Sequence, residues 1–360
     1  MTEAVLLVGG RGTRLRPLTV HTPKPMLPTA GVPFLAHVLA RAHEAGVDHV
    51  VLATSYRPEV FSTHFGDGAA LGLALDYVTE TEPLGTGGGI RNVADMLHGG
   101  PDDPVVILNG DVLSGHDLAR QVEAHTAAEA DVTLHLVEVE DPRAFGCVPT
   151  DASGRVTAFL EKTPDPVTNR INAGCYVFRR KVIDAIPAGR PVSVEREIFP
   201  ALLRDGAVVL GHADPAYWLD LGTPAAFVRG SCDLVLGRLS SPALPGEPGE
   251  SLLLPGAVVD AEAAVCGGTT VGAGAVVAAG ASVDGCVLLD GARVGAGAVL
   301  RGSVVGRGAV VGAGARLDGV IVGDAAEVGA RNELVAGARV WCDARIPDGA
   351  VRFSSDEDPA

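Results

Sequence analysis

Residues 9–25 hold the densest set of groups fit for chemistry: Gly9-Gly10-Arg11-Gly12-Thr13-Arg14-Leu15-Arg16-Pro17-Leu18-Thr19, then Pro23-Lys24-Pro25. A glycine-rich turn directly after an apolar run (residues 4–8) lets backbone N–H groups come close to a phosphate or a base. Arg14 and Lys24 add positive charge, and the flanking prolines stiffen the approach. No Gly-Lys-Ser/Thr follows, so this is not a Walker A loop. Leu15 stands where Gly-x-Gly-x-x-Gly would need its third glycine. The chemistry implied is the handling of polyanionic phosphates.

Further polar groups recur downstream: Asn109-Gly110-Asp111, Gly146, Glu161-Lys162, Asn172-Ala173-Gly174 and Asp220 in Tyr217-Trp218-Leu219-Asp220. Taken singly, each has a plain structural reading. An Asp after Asn-Gly is a common turn residue, Glu161-Lys162 would serve as a surface pair, and Asp220 would serve as a helix cap.

The elements around these residues have two grammars. Over the first ~235 residues, apolar runs at 4–8, 49–53, 105–108, 132–137 and 176–178 read as strands. Residues 34–45, 89–97, 118–128 and 194–203 read as helices. The alternation predicts an α/β domain whose sheet has parallel elements, with ligands beyond the carboxyl ends of the strands. Residues just after Val8 and Leu108 stand at such ends. A linker rich in proline and glycine runs from Ser240 to Glu250.

Beyond it, Val265, Val271, Val277, Val283, Leu288, Val294, Leu300, Val305, Val311, Leu317, Val322, Val328, Leu334, Val340 and Ile346 recur at steps of six, with a five at 283–288, 300–305 and 317–322. Shorter steps spaced by 17 residues predict a three-sided parallel β-helix of hexapeptide repeats. The expected layout is therefore a catalytic domain over residues 1–238, a linker at 239–250, a β-helix at 251–353 and a frayed tail at 354–360.

A formal net charge of −16 argues against a nucleic-acid partner. No stretch nears the roughly 18 apolar residues of a membrane span, and the opening Met1-Thr2-Glu3 predicts no secretory leader. The six cysteines form no Cys-x-x-Cys pair and read as free thiols of a cytoplasmic protein. The histidines form no ligand spacing. None lies after His212, which argues against acyl transfer in the β-helix, a chemistry that would need a histidine base.

The run Gly-Gly-x-Gly-Thr-Arg-Leu-x-Pro-Leu-Thr…Pro-Lys-Pro resembles the signature of the sugar-1-phosphate nucleotidyltransferases. The likeness continues in family order through Glu82-Pro83-Leu84-Gly85-Thr86-Gly87-Gly88, Asn109-Gly110-Asp111, Phe145-Gly146-Cys147-Val148, Phe159-Leu160-Glu161-Lys162, Asn172-Ala173-Gly174 and Tyr217–Pro224. Within the family the chain looks most like the mannose-1-phosphate guanylyltransferases of bacteria, in their actinobacterial form. The resemblance implies a Rossmann-like nucleotidyltransferase domain with a mixed, mostly parallel sheet, followed by a left-handed β-helix. It implies guanylyl transfer from GTP to mannose 1-phosphate, giving GDP-mannose and pyrophosphate. Guanylyl transfer to another sugar 1-phosphate such as a heptose, and a non-catalytic nucleotide-sugar sensor, are the alternatives.

Carried over residue by residue, Arg14 would hold the departing β,γ-phosphates and Lys24 would contact the nucleotide phosphates. Val8, Gly9, Gly10, Gly12, Thr13, Gly85 and Thr86 would line the nucleotide. Asp111 and Asp220 would bind Mg²⁺. Lys162 would hold the sugar phosphate, and Asn109, Gly110, Gly146, Glu161 and Asn172 would surround the sugar. This chemistry makes physical sense. A phosphate oxygen is already an anionic nucleophile, so the protein must supply cations and alignment rather than a strong base. Mg²⁺ is a hard ion suited to one or two carboxylates.

Glu80 stands where the related thymidylyltransferases carry a glutamine that reads a pyrimidine. A carboxylate can accept from N1–H and the N2 amino group of guanine together, whereas uracil or thymine would face it with carbonyl oxygens. Glu82 is the alternative reader, and a surface glutamate without a ligand is the plain one. With every motif lying before residue 235, the β-helix is expected to be dispensable for chemistry and to serve homo-oligomer assembly.

Overall fold

The computed structural model describes residues 2–10, 12–335 and 337–353, so the tail expected to fray lies outside the described residues. The chain divides into two compact units. One joins Met1–Gly10 to Val38–Trp218, and the other joins Arg11–His37 to Leu219–Ala360. The boundary does not follow the linker, because the segment after the first strand groups with the C-terminal half.

The first unit is a nine-stranded mixed sheet. Its strands are β1 (Thr2–Leu7), β2 (Val47–Thr54), β3 (Ala74–Thr79), β4 (Pro104–Asn109), β5 (Val132–Glu138), β6 (Gly146–Cys147), β7 (Leu160–Glu161), β8 (Arg170–Arg179) and β9 (Val209–Ala213). β1 lies between β2 and β4, all parallel, and β3 adds beyond β2. β8 runs antiparallel to β4 and β5, while β9 is parallel to β5. Ala4, Val5 and Leu6 are fully buried, as expected for a central strand covered on both faces. The pairing brings the carboxyl ends of β1 to β5 and of β9 to one edge of the sheet, and the reversed strand β8 delivers its beginning, Arg170–Asn172, to that same edge.

Helices α1 (Phe34–Glu44) and α2 (Leu118–Ala127) form close to where periodicity places them. The stretch expected as one helix at 194–203 starts as a π-turn, Val194–Ile198, and continues as α3 (Phe199–Arg204). Phe199 is buried against Phe159, Tyr176 and Phe178 with ring centroids 5.1, 5.3 and 6.1 Å away. Such pairs contribute about 0.5–1.5 kcal/mol each beyond area burial, and they fix Tyr176 under the carboxyl edge. At the opposite edge, His49 bridges Glu3 (2.8 Å) and Asp76 (2.9 Å), and the backbone N–H groups of His98 and Gly99 donate to Glu3. Burial pushes the Glu3 carboxyl up, but these donors outweigh it and hold it below the usual range.

The second unit carries three parallel sheets of six, six and five strands, the arrangement of a left-handed β-helix. Val271 pairs with Leu288, Val277 with Val294 and Val283 with Leu300, reproducing the 17-residue coil. Thirteen of the fifteen predicted aliphatics are buried in its core, and Val265 and Ile346 are partly buried against it. Their neighbours on the strands point outward. On the first sheet those neighbours include Val287, Val304 and Ile321, and they too are buried. They pack with Phe227, Val228 and Cys232 of helix α4 (Pro224–Val235) and with Leu15, Leu18 and Leu27 of the N-terminal segment. Thr223 caps that helix by accepting from Ala226 N–H at 3.2 Å, and Pro224 takes its first turn. One face of the β-helix is thus used within the chain, covered by α4 and the N-terminal segment.

Candidate active site

At the carboxyl edge of the sheet, Gly110 N–H donates to Leu7 carbonyl oxygen at 2.9 Å and ties the end of β4 to the end of β1. A Cβ at Gly110 would lie 2.7 Å from both Leu7 oxygen and Val8 Cγ1, so only glycine allows this approach. Asp111 follows directly and is half-buried. Val8 is buried, while Gly9 and Gly10 are exposed. Gly174, at φ +77°, packs on Asn109, whose Nδ2 would stand 2.7 Å from an added Cβ.

Beside these, β6 pairs with β7 so that Gly146 faces Glu161. Glu161 Oε2 would be 2.9 Å from a Cβ on Gly146, which makes that glycine a seat for the carboxylate. Lys162 has φ +49°, a conformation costly for a side-chain-bearing residue and common at functional sites. Its Nζ is exposed and 3.6 Å from Glu161 Oε1. Asn172 sits at an irregularity of β8. Its amide donates to Tyr176 hydroxyl at 2.8 Å, and its oxygen accepts from Gly174 N–H at 3.1 Å. This exchange fixes the amide plane and leaves one donor and one acceptor direction of Asn172 for a ligand.

Glu80 lies at the end of β3, half-buried, and accepts from Leu84 N–H at 3.3 Å. Burial raises its pKa, an effect that this hydrogen bond opposes. Its Oε1 would be 2.6 Å from a Cβ on Gly89, so the carboxylate rests on the helix Gly85–Asn92 where a side chain is missing. Glu82 is exposed.

The Gly85–Gly88 block has a second partner that its sequence does not announce. Val192 carbonyl oxygen accepts from Gly87 N–H (2.8 Å) and Gly88 N–H (3.2 Å), and Val192 N–H donates to Leu84. Added Cβ atoms at Gly85, Gly87 and Gly88 would come within 2.7–2.9 Å of Val192 or Arg190. Thr86 hydroxyl donates to Glu195 at 2.8 Å and accepts from Val194 N–H at 3.0 Å. These glycines therefore permit close packing of residues 190–194. Val192 and Glu195 carried no motif and were not among the expected residues.

In the second unit, Gly12 caps a 3-10 turn, Thr13–Leu15, in the left-handed conformation. Thr19 hydroxyl donates to Gly12 carbonyl oxygen at 2.8 Å. A Cβ at Gly12 would be 3.0 Å from both Thr19 and Lys24, so the two arms of the signature close on that glycine. Thr13 and Arg14 are exposed. Lys24 Nζ lies 3.9 Å from Asp220 Oδ1, with its side chain only 12% exposed. Gly222 completes the group, since a Cβ there would be 2.5 Å from Arg14 Nη2 and 3.0 Å from Asp220 Oδ1. Arg14, Lys24, Asp220 and Gly222 form one constellation of two cations and one carboxylate.

The predicted residues thus fall into two sets. Val8, Gly9, Gly10, Glu80, Gly85, Thr86, Asn109, Gly110, Asp111, Gly146, Glu161, Lys162 and Asn172 belong to the first unit. Gly12, Thr13, Arg14, Lys24 and Asp220 belong to the second. Asp111 and Asp220 both offer hard carboxylate oxygens, a donor type that fits Mg²⁺. Among the described residues, one other group could gather ligand atoms, Glu3 with His49 and His98 within 4.8 Å. It lies at the far edge of the sheet, and both Glu3 oxygens already accept backbone N–H groups.

A family described as "Nucleotidyl transferase" matches residues 3–235, and one described as "GMPPB C-terminal domain" matches residues 248–347. A Mycobacterium tuberculosis protein, "Mannose-1-phosphate guanylyltransferase", is 62% identical over 355 residues, covering 98% of each chain. A rice protein, "Probable mannose-1-phosphate guanylyltransferase 1", is 36% identical over 81% of this chain and 82% of its own. Among solved structures, HddC from Yersinia pseudotuberculosis complexed with GMP-PN matches 64% of this chain and 98% of its own, with a TM-score of 0.55 and 28% identity.

Proposed function

Because this chain belongs to the nucleotidyl transferase family, we propose that it transfers a guanylyl group from GTP to mannose 1-phosphate. The observation that carries this reading is the match with the Mycobacterium tuberculosis relative along nearly the whole of both chains. In the reaction a phosphate oxygen of the sugar 1-phosphate attacks the α-phosphorus of GTP. The bond from that phosphorus to the bridging oxygen breaks, and pyrophosphate departs with the electron pair.

Each residue group has a task in this scheme. Arg14 neutralises the departing β,γ-phosphates, and Lys24 holds the nucleotide phosphates, its ammonium kept in place by Asp220. Gly12 and Thr13, with Val8, Gly9 and Gly10, give the nucleotide a backbone surface. Lys162 binds the sugar phosphate, while Glu161 on its glycine seat and Asn172 accept and donate to sugar hydroxyls, beside Asn109, Gly110 and Gly146. Glu80 reads guanine with its carboxylate, and Gly85 and Thr86 shape the wall behind it. Asp111 and Asp220 hold Mg²⁺. When bound, the ion supplies the positive charge that lets two polyanions approach. The same reading places the protein in the cytoplasm and gives it a homo-oligomeric state built on β-helix sheets that its own α4 does not cover. No helix among the described residues is long and apolar enough to cross a membrane.

The test is pyrophosphate release from each of four nucleoside triphosphates against a panel of sugar 1-phosphates. GTP with mannose 1-phosphate should give the highest kcat/KM. A higher value for another pair would replace the proposed substrates.

A further inference from the structure

The loop that bears Arg14 and Lys24 has little structure of its own. Between residues 12 and 27 it makes two 3-10 turns, Thr13–Leu15 and Lys24–Met26. Short 3-10 turns are poor at holding a shape without outside contacts. The β-helix supplies those contacts from specific coils. Leu15, Leu18 and Leu27 are buried in one cluster with Val287, Leu289, Val304 and Ile321. Arg339, at the outward position of the last strand in that sheet, donates to Arg16 carbonyl oxygen at 2.7 Å. Arg307 donates to Thr22 hydroxyl at 3.1 Å. Asp324 holds Arg307 in turn, with its Oδ1 accepting Arg307 N–H at 2.8 Å and its Oδ2 3.7 Å from the guanidinium.

These contacts flank the two cations. Arg16 lies two residues after Arg14, and Thr22 lies two residues before Lys24. The leucine plugs fix the depth of the loop, and the two arginines fix its ends. We infer that Arg307 and Arg339 of the β-helix are positioning residues for nucleotide binding, setting the Arg14 and Lys24 side chains where GTP phosphates are met. This rests on the phosphate roles given above to Arg14 and Lys24. Neither β-helix arginine is a catalytic residue. Each acts through the backbone or hydroxyl of the loop.

The experiment uses the full-length chain with R307A, R339A, the double variant and R339K. R345A serves as control, because Arg345 pairs with Glu327 on another sheet at 3.3 Å. Binding of GTP is measured by calorimetry, and KM is measured separately for GTP and for mannose 1-phosphate. Misplacing a phosphate-binding group by a fraction of an ångström should cost about tenfold per arginine. The double variant should therefore raise the GTP Kd and KM by ten- to a hundredfold. The sugar-phosphate KM should stay within about twofold of wild type, and R339K should recover part of the loss by keeping a donor. Wild-type GTP affinity in the double variant would overturn the inference. So would equal losses for both substrates together with a lowered melting temperature, which would mark a merely structural role. If wild type instead prefers another nucleotide or sugar, the substrate reading fails, and the comparison is made with the preferred pair.

Discussion

Replacing Gly222 with alanine should damage catalysis while leaving the fold nearly intact. The new Cβ would lie 2.5 Å from Arg14 Nη2, 3.0 Å from Arg14 Cζ and 3.0 Å from Asp220 Oδ1. Ordinary contacts are near 3.5 Å, so the guanidinium must retreat by about 1 Å. The backbone at Gly222 is not among the left-handed glycines, so alanine brings no conformational strain. The nearest atom is the free end of an exposed arginine, which moves at small cost, within roughly 0.5–1 kcal/mol of stability. A displacement of that size at a phosphate-binding group is worth up to about a hundredfold in rate. The expected fall in kcat/KM for GTP is therefore about 10- to 100-fold, or roughly 1.4–2.7 kcal/mol of transition-state stabilisation. The assay is pyrophosphate release, with thermal unfolding run in parallel. Gly110→Ala is the contrasting variant. There the obstacle is the Leu7 backbone oxygen at 2.7 Å, which cannot swing aside, so melting temperature should drop along with activity. If Gly222 acts through Arg14, R14A and G222A together should be no worse than R14A alone. Additive losses, or a G222A enzyme with full activity, would refute the reasoning.

Glu80→Gln should lower kcat/KM for GTP relative to dTTP and UTP by about 1–3 kcal/mol, the scale of one misread base edge; unchanged ratios across the three nucleotides would reassign base reading to the Val8–Gly10 backbone. Asp111→Asn and Asp220→Asn should each weaken the Mg²⁺ dependence of turnover by at least tenfold, and a magnesium titration identical to wild type would remove that residue from the metal set. Acid should destabilise the first unit through His116 and His135, which stack at 3.8 Å. Burial lowers them to about 4 and about 2, with His116 and His212 adding repulsion at His135. The fold keeps both neutral while the unfolded chain takes up protons below pH ~6.5, so stability falls as pH drops, by about 2 kcal/mol per histidine between pH 7.5 and 5. Urea unfolding of His135→Phe at the two pH values should show that fall reduced by about one histidine's share. An unchanged pH dependence would count against the assignment.

Much of this was legible because burial imposes a period on sequence. The inward aliphatics of the β-helix had to recur at six and five, since each coil has three sides and turns one aliphatic inward on each. The central strands were legible as uninterrupted aliphatic runs. Edge strand β3, Ala74–Thr79, was not, because Asp76, Tyr77 and Thr79 break its apolar pattern at a half-solvated border. The glycines of 85–88 read as a ligand cradle, since sequence gives no hint that Val192 comes within hydrogen-bond reach of them. Glu3, His49 and His98 lie dozens of residues apart, and no spacing rule joins them. The brace under the signature loop did leave a trace. On the covered sheet Val287-Leu288, Val304-Val305 and Ile321-Val322 are aliphatic doublets in three consecutive coils, whereas the other sides alternate doublets such as Val276-Val277, Val310-Val311 and Val299-Leu300 with Arg293-Val294, Glu327-Val328 and Arg316-Leu317. Single outward aliphatics such as Val258 stay exposed, so the trace is the unbroken run of three on one side, and only the fold says what covers it.

The position of Arg307 and Arg339 makes the β-helix a ruler. Coils stack at about 4.8 Å, and the strand carrying Arg339 lies two coils beyond the strand Val304–Val305 that precedes Arg307. The two clamps are thus held roughly 10 Å apart along the stack by counting coils, not by any contact between them. Removing one 17-residue coil between them would leave every inward aliphatic in register and the prism sound. It would also shorten the ruler by one division, so that Arg16 and Thr22 could no longer both be reached. Repeat number in this half of the chain is therefore a tolerance set by the loop it measures, and a stably folded variant of the wrong length would be expected to fail at GTP binding.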